Sequence, residues 1–297
     1  MVTDWEPQFL LWSRPPGKTE LDKCNNAETA IKNAISTSEK LKERDTRTFA
    51  HGSYKNNTNV RGDSDVDIAV VCYDSFFHDY PEGTTSETFG NSPASYHYDT
   101  FKNEVEEALV DYFGRRSVIR GNKAFDIKEN SYHVEADAAA FLEHRRYHKN
   151  GTYISGVELR TDNGTPFRVI NWPEQHYDNG VGKNSDTGRR YKSVVRIVKS
   201  LCNEMADKNI PQAKNIMGFL IECLVWNVPN GKFGHARLSA DIRESLAYLF
   251  NNTMEDKDCS EWGEVCELKY LFRTSQKWTR QQAHDFIGAA WDYLGLT

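Results

Sequence analysis

The sequence predicts an α/β fold of the α+β kind, with a mixed sheet followed by a helical lobe. Three observations carry this. Up to about residue 170, short strand-like runs and turn-rich stretches dominate, with two helical periodicities among them. Beyond Pro173, apolar residues recur at helical spacing almost to the end. Between the two, 172–185 is polar and rich in Gly and Asn, which places a boundary there. The expected division is 1–175 for a lobe with the sheet and a long N-terminal helix, and 176–297 for a helical lobe.

The elements follow in order. Thr19-x-x-Asp22 resembles a capping box. Cys24, Ala27, Ile31, Ala34, Ile35 and Leu41 then continue a helix over about 19–43. Residues 46–51 read as a strand ending at Gly52-Ser53, and 54–64 as a polar loop with a turn at Gly62-Asp63. A strand over 66–72 follows, then a loop over 78–95. Phe101, Val105, Leu109 and Tyr112 mark a second helix closed by Gly114. Short strands are expected near 117–120 and 124–128, a longer one over 132–141, and a hairpin over 153–170 turning at Asp162-Asn163-Gly164. In the second half, Asp186 or Thr187 is expected to cap a helix with Tyr191, Val194, Val195, Val198, Leu201 and Met205 inward. Helices over 215–227 and 239–251 come next. A last helix starts at Thr279, with Gln282 in the capping-box position.

Bulk properties narrow the function classes. The chain of 297 residues is 38% hydrophobic and 27% charged, ordinary for a soluble globular protein. No apolar run approaches the roughly 20 residues of a membrane span, and the N-terminus lacks the pattern of a secretory signal. The six cysteines form no C-x-x-C pair. Buried reduced thiols in a cytoplasmic protein are therefore expected, and a zinc site is not. A net charge of −6 argues against broad binding of nucleic acid.

The chemistry concentrates in HGSYKNNTNVRGDSDVDIAVV, residues 51–71. Asp65 and Asp67 are two apart at the head of an apolar strand, so they point to one face. Two carboxylates held that close repel unless a cation lies between them. Magnesium suits hard oxygen ligands and leaves positions for substrate phosphates. The Gly52 amide and Ser53 hydroxyl suit phosphate oxygens. The competing reading is a pair of surface aspartates beside a turn. A third carboxylate is offered by SYHVEADAAAF, where Glu135 and Asp137 face the same way. Lys192, Arg196 and Lys199 form a basic stripe at i, i+4, i+7, which on most helices is a solvated face. His51, next to Gly52, is a candidate contact for sugar or phosphates, against the commoner structural role of a lone histidine, while His97, His144, His148 and His176 show no metal spacing.

The motif G-S-x(11)-D-x-D resembles the signature of polymerase-β-like nucleotidyltransferases. Together with EADAAAF, VINWPEQHYDNGVGKN, RRYKSVVRIVKS and FLIECLVWNVPNGKFG, it is similar to the CdnE-type branch of the cGAS/DncV-like nucleotidyltransferases. These segments occur in that family's order and cover most of 1–235; the last sixty residues match less distinctly. The resemblance implies a polymerase-β-like core followed by a helical C-terminal lobe, with the active site expected in the cleft between them. It selects Asp137 over Glu135 as third ligand, with Asp65, Asp67 and Asp137 holding two Mg²⁺ (or Mn²⁺) ions. It turns Lys199 towards the triphosphate, with Lys183 a second candidate. Relatives carry a Ser-Tyr pair where this chain has Gly218-Phe219, so Phe219 keeps the stacking ring and the hydroxyl contact is absent. Asn171 falls where the donor-base pocket is lined and points to uracil.

The implied function is a cyclic dinucleotide synthase using UTP with ATP, a signal generator in CBASS antiphage defence. A monomer is expected, with no stable nucleic acid and no membrane, whose product is sensed by a downstream effector. Two alternatives stand beside it. A template-independent transferase acting on an RNA or protein hydroxyl shares the metal chemistry. A non-catalytic nucleotide-binding scaffold would show a lost active-site carboxylate, and all three are present.

Overall fold

The computed structural model describes residues 4–61 and 66–296. Its chain divides into two compact units. One comprises Gly17–Lys55 and Ser64–Glu174; the other takes the described residues of Met1–Pro16, Asn56–Asp63 and Gln175–Thr297. The helical unit thus includes two segments that the expected boundary assigned to the first lobe.

In chain order the elements are α1 (Glu6–Trp12), α2 (Lys18–Thr37), β1 (Thr46–His51), α3 (Gly52–Asn56), β2 (Val66–Asp79), α4 (Tyr98–Phe113), β3 (Val118–Arg120), β4 (Phe125–Ile127), β5 (Ala136–Tyr147), β6 (Tyr153–Arg160) and β7 (Arg168–Asn171). They continue with α5 (Pro173–Asp186), α6 (Arg190–Asp207), α7 (Gly218–Trp226), α8 (Leu238–Asn252), α9 (Asp256–Cys259) and α10 (Arg280–Leu294).

The sheet unit is built on a seven-stranded mixed sheet ordered β1-β2-β5-β4-β3, with β6 and β7 continuing from β5. β2 and β5 run parallel; the other pairs are antiparallel. Ile31, Ala34 and Ile35 of α2, with Phe101, Val105 and Leu109 of α4, pack with Val66, Ile68, Val70, Ala136 and Ala138 in one core. Alternation along β2 and β5 therefore sends Asp67 and Asp137 to the opposite, half-exposed side.

The helical unit packs Tyr191, Val194, Val198, Leu201, Leu220, Leu224, Ile242, Leu246, Phe286 and Ile287 around a second core, which also buries Phe9 of α1. The expected capping box at α10 is present: Thr279 accepts from the Gln282 amide, and the Gln282 side chain accepts from the Thr279 amide.

Several expectations fail locally. α2 has Gly17 at its N-cap with no side-chain cap, so Thr19 plays no capping role, and the helix ends at Thr37. β2 runs on to Asp79 past an irregularity between Cys72 and Phe76. β5 starts at Ala136 and continues to Tyr147. The stretch 172–185 is no linker but most of helix α5, which buries His176, Gly180 and Lys183. Neither Asp186 nor Thr187 is the N-cap of α6: that residue is Arg189, in a left-handed conformation, while the Thr187 hydroxyl accepts from the Tyr191 amide inside the first turn. The Gly62-Asp63 turn lies outside the described residues.

All six cysteines are described and buried, and none forms a disulfide. Among the described residues no helix is long and apolar enough to cross a membrane.

Candidate active site

The parallel pairing of β2 and β5 sets Asp67 directly opposite Asp137. Neighbouring strands lie about 4.8 Å apart, so the two carboxylates stand side by side on one face. On β1, His51 is opposite Asp67, and on β4, Asp126 is opposite Asp137. One row across four strands thus reads His51, Asp67, Asp137, Asp126. Asp65 lies outside the described residues. Glu135 precedes β5, with its carbonyl accepting from the Val66 amide.

Gly52 completes the row from the side. It has φ +66°, and a Cβ there would stand 2.3 Å from Asp67 Oδ2 and 3.3 Å from Cγ. Only glycine leaves that carboxylate its space, and Ser53 follows in the turn of α3. Burial lowers the proton affinity of His51, and the Asp67 charge pulls the other way. The His51 ring stands edge-on to Phe141, with centroids 6.0 Å apart.

The donor set fits a divalent cation: hard carboxylate oxygens meet on one face, and Gly52 gives the Asp67 carboxylate its place there. Among the described residues no group of three potential ligands converges on a metal position.

Asn171 sits on the same face but not beside the carboxylates. It is opposite Val157, Val157 is opposite Glu143, and Glu143 lies three same-face positions along β5 from Asp137. The following Trp172 is 2% exposed. Its ring packs where a Cβ of Gly156 would come within 2.7 Å, with Arg146 stacked over it at 4.2 Å. The end of β7 is therefore held firmly.

In the helical unit the basic stripe is not a solvated face. Lys192, Arg196 and Lys199 are all buried. Arg196 donates to the carbonyls of Ser13 (2.7 Å) and Asn57 (2.5 Å). Lys199 Nζ lies 3.3 Å from Glu222 Oε2 and 3.5 Å from Thr58 Oγ1. Lys183 points inward, donating to the Val228 carbonyl (2.8 Å) and Asn230 Oδ1 (2.9 Å), and burial depresses its pKa to about 8. Phe219 is partly exposed, its ring against His176 (5.6 Å) and Trp278 (5.9 Å).

Sequence reasoning missed Glu222, Thr58 and His176 as a group. The available signal was a lone carboxylate inside the apolar run FLIECLVW. It also missed Asp126, because a three-residue strand gives too little periodicity to assign a face.

A mixed sheet with facing aspartates on a parallel strand pair, above a positive-φ glycine, is the frame of a nucleotidyl-transferring enzyme, and residues 31–135 match the nucleotidyltransferase domain. Residues 178–295 match the cGAS/DncV-like nucleotidyltransferase C-terminal helical domain. The cyclic dipyrimidine nucleotide synthase CdnE of Cecembia lonarensis is 42% identical over 290 residues, 97% of this chain and 98% of the relative. The protein of the same name from Legionella pneumophila is 41% identical over 298 residues, covering 99% of each. Among solved structures, the Rhodothermus marinus CdnE c-UMP-AMP synthase with Apcpp and Upnpp has a TM-score of 0.86 at 28% identity, over 98% of this chain and 96% of that one. The chain belongs to the cGAS/DncV-like nucleotidyltransferases, in their CdnE-type branch of cyclic dinucleotide synthases. Its substrates are nucleotides, and its family generally works with divalent metal ions.

Proposed function

We propose that this enzyme joins two nucleoside triphosphates into a cyclic dinucleotide, with Asp65, Asp67 and Asp137 holding two Mg²⁺ or Mn²⁺ ions. The observation that carries it is Asp67 opposite Asp137 with the Cβ-free Gly52 beside them. When bound, the ions lower the pKa of the attacking hydroxyl and neutralise charge on the α-phosphate and leaving pyrophosphate. The chain's own groups do the rest. The Gly52 amide and the Ser53 hydroxyl hold phosphate oxygens. His51, opposite Asp67 on β1, is a further contact for the sugar or phosphates. Lys199 contacts the triphosphate, and Phe219 gives a ring on which a base stacks. Lys183 spends its donors within the helical unit and has no part in this reading.

Asn171 reads a pyrimidine edge, since its amide both donates and accepts, so UTP is one substrate. The second nucleotide is also a pyrimidine in the reading favoured by the two relatives at 41–42% identity, both named cyclic dipyrimidine synthases. The pairing of UTP with ATP is the second reading, favoured by the Rhodothermus marinus structure, a c-UMP-AMP synthase. The setting we infer is a monomer in the cytoplasm; the compartment is supported by six buried cysteines without disulfides. It generates a signal for an effector in CBASS antiphage defence.

The test is incubation of purified protein with each labelled NTP pair and Mg²⁺ or Mn²⁺, followed by phosphatase. A phosphatase-resistant product containing UMP is expected, and it should vanish in the Asp67→Asn and Asp137→Asn variants. Products that remain phosphatase-sensitive would favour linear transfer. Undiminished turnover in both variants would remove the metal-site assignment.

A further inference from the structure

The carboxylate of Glu222 on α7 is 3% exposed, within an otherwise apolar helix. It is surrounded by donors. Thr58 Oγ1 donates to Oε2 at 2.6 Å, Lys199 Nζ approaches the same oxygen at 3.3 Å, and His176 Nε2 is 2.9 Å from Oε1. Lys199 Nζ also lies 3.5 Å from the Thr58 hydroxyl, closing a triangle. Burial alone would raise the Glu222 pKa; Lys199, His176 and Thr58 outweigh it and hold it at about 2. An ammonium as enclosed as Lys199 would cost several kcal/mol without an opposing charge, and Glu222 supplies one.

Each partner of Glu222 leads to a different part of the proposed machinery. Lys199 is the triphosphate contact. Its wall at Gly218 is open: a Cβ there would stand 3.4 Å from Cε and 3.8 Å from Nζ. His176 carries the Phe219 ring, the stacking surface. Thr58, fully buried, lies in the eleven-residue spacer between Ser53 and Asp65. Arg196 grips the Asn57 carbonyl one residue before it. The spacer segment belongs to the helical unit, while Gly52-Ser53 and Asp67 belong to the sheet unit.

We propose that Glu222 is a positioning residue, whose carboxylate holds the Lys199 ammonium and the Thr58 hydroxyl in one arrangement and so sets the triphosphate contact. This rests on the reading of Lys199 as the triphosphate contact. The consequence is energetic coupling: removing Glu222 and removing Lys199 damage the same step and do not add.

The experiment is a double-mutant cycle on the full chain with UTP and Mg²⁺. It uses Lys199→Ala, Glu222→Gln and the pair, and reads kcat and KM for cyclic product, with thermal melting as the check on folding. Lys199→Ala is expected to raise KM. Glu222→Gln should lower kcat/KM about tenfold while the isosteric amide keeps the fold. The double variant should be no worse than Lys199→Ala alone within about twofold. Thr58→Val, which removes the hydroxyl that donates to Glu222 Oε2, should raise KM in the same direction but by less than Lys199→Ala. If Glu222→Gln does not fold, Thr58→Val with Lys199→Ala supplies the same cycle. Full multiplication of the two losses, with Lys199→Ala still raising KM, would overturn the positioning role and leave the phosphate contact standing. An unchanged KM in Lys199→Ala would overturn both.

Discussion

Gly52 stands at φ +66° with Asp67 Oδ2 2.3 Å from the place a Cβ would take, so Gly52→Ala meets two obstacles. The left-handed backbone costs about 1–2 kcal/mol for a residue with a side chain, and the carboxylate must move. Because Asp67 is poised opposite Asp137, even a small displacement spoils the shared face. Turnover is expected to fall at least about 100-fold, while the melting temperature drops only a few degrees. A Gly52→Ala enzyme with near-normal kcat would show that this glycine merely makes a turn. At this scale the sequence was informative wherever chemistry is written in local order. Gly52-Ser53 and Asp67 share one short motif, and Asp137 sits at the head of a strand. Glu222 was not legible, because its partners at Thr58, His176 and Lys199 are dispersed along the chain and meet only on folding. The burial of Lys192, Arg196 and Lys199 was hidden for the same reason: an i, i+4, i+7 stripe looks identical whether water or carbonyls face it.

Among the elements, the β6–β7 turn acts as a clamp. Asp162 accepts from Lys102 of α4 at 2.7 Å and from Arg120 of β3 at 2.8 Å, and Lys102 is almost wholly buried. Hydrogen bonds from Arg120, joined by Lys102 and opposed by burial, hold the Asp162 pKa at about 2 against an ordinary 3.8. A carboxyl whose folded pKa is depressed adds stability above its unfolded value and loses it as pH falls through the folded one. Asp162→Asn is therefore expected to cost about 1 kcal/mol at neutral pH, a figure discounted because the Asp162 side chain is over a third exposed. The gap from wild type should close as pH falls from about 4 to 2. Denaturant titrations across that range measure it, and a gap that stayed constant with pH would refute the ionic account. Element existence was largely readable, since α4, α8 and α10 carry plain 3.6-residue periodicity, and α10 carries its own cap. Helix α5 was not, because Asn179, Gly180, Gly182 and Asn184 speak against a helix locally. Its burial of His176 and Lys183 in the helical unit outweighs that propensity.

For the molecule as a whole, the N-terminal segment is part of the helical unit. Phe9 is 2% exposed there, and the Trp5 indole donates to the Leu294 carbonyl. Helix α8 has no side-chain cap from its own N-cap, Arg237; Glu6 serves instead, accepting from the amides of Leu238 and Ser239 at 2.8 Å each. Glu6→Ala is expected to cost about 1 kcal/mol, as loss of a helix cap does, seen as a melting temperature lower by about 2–4 °C. KM for UTP should stay put. An unchanged melting temperature would mean that water replaces this cap without loss. A capping partner over two hundred residues away leaves no trace in local sequence, so the return of the N-terminus to the helical unit was not legible there.

The spacer at 56–61 bears on the order in which the protein is made. Its anchors, Arg196 on α6 and Glu222 on α7, leave the ribosome well over a hundred residues after it. Domains generally fold as units during synthesis, the N-terminal part first, and here the early sheet strands can pair while the segment joining Ser53 to Asp65 still lacks its support. A nascent or prematurely ended chain therefore holds the aspartates without the anchorage of the loop that leads to them. A chain ended before α7 is therefore expected to make no cyclic product, although it carries every one of these aspartates.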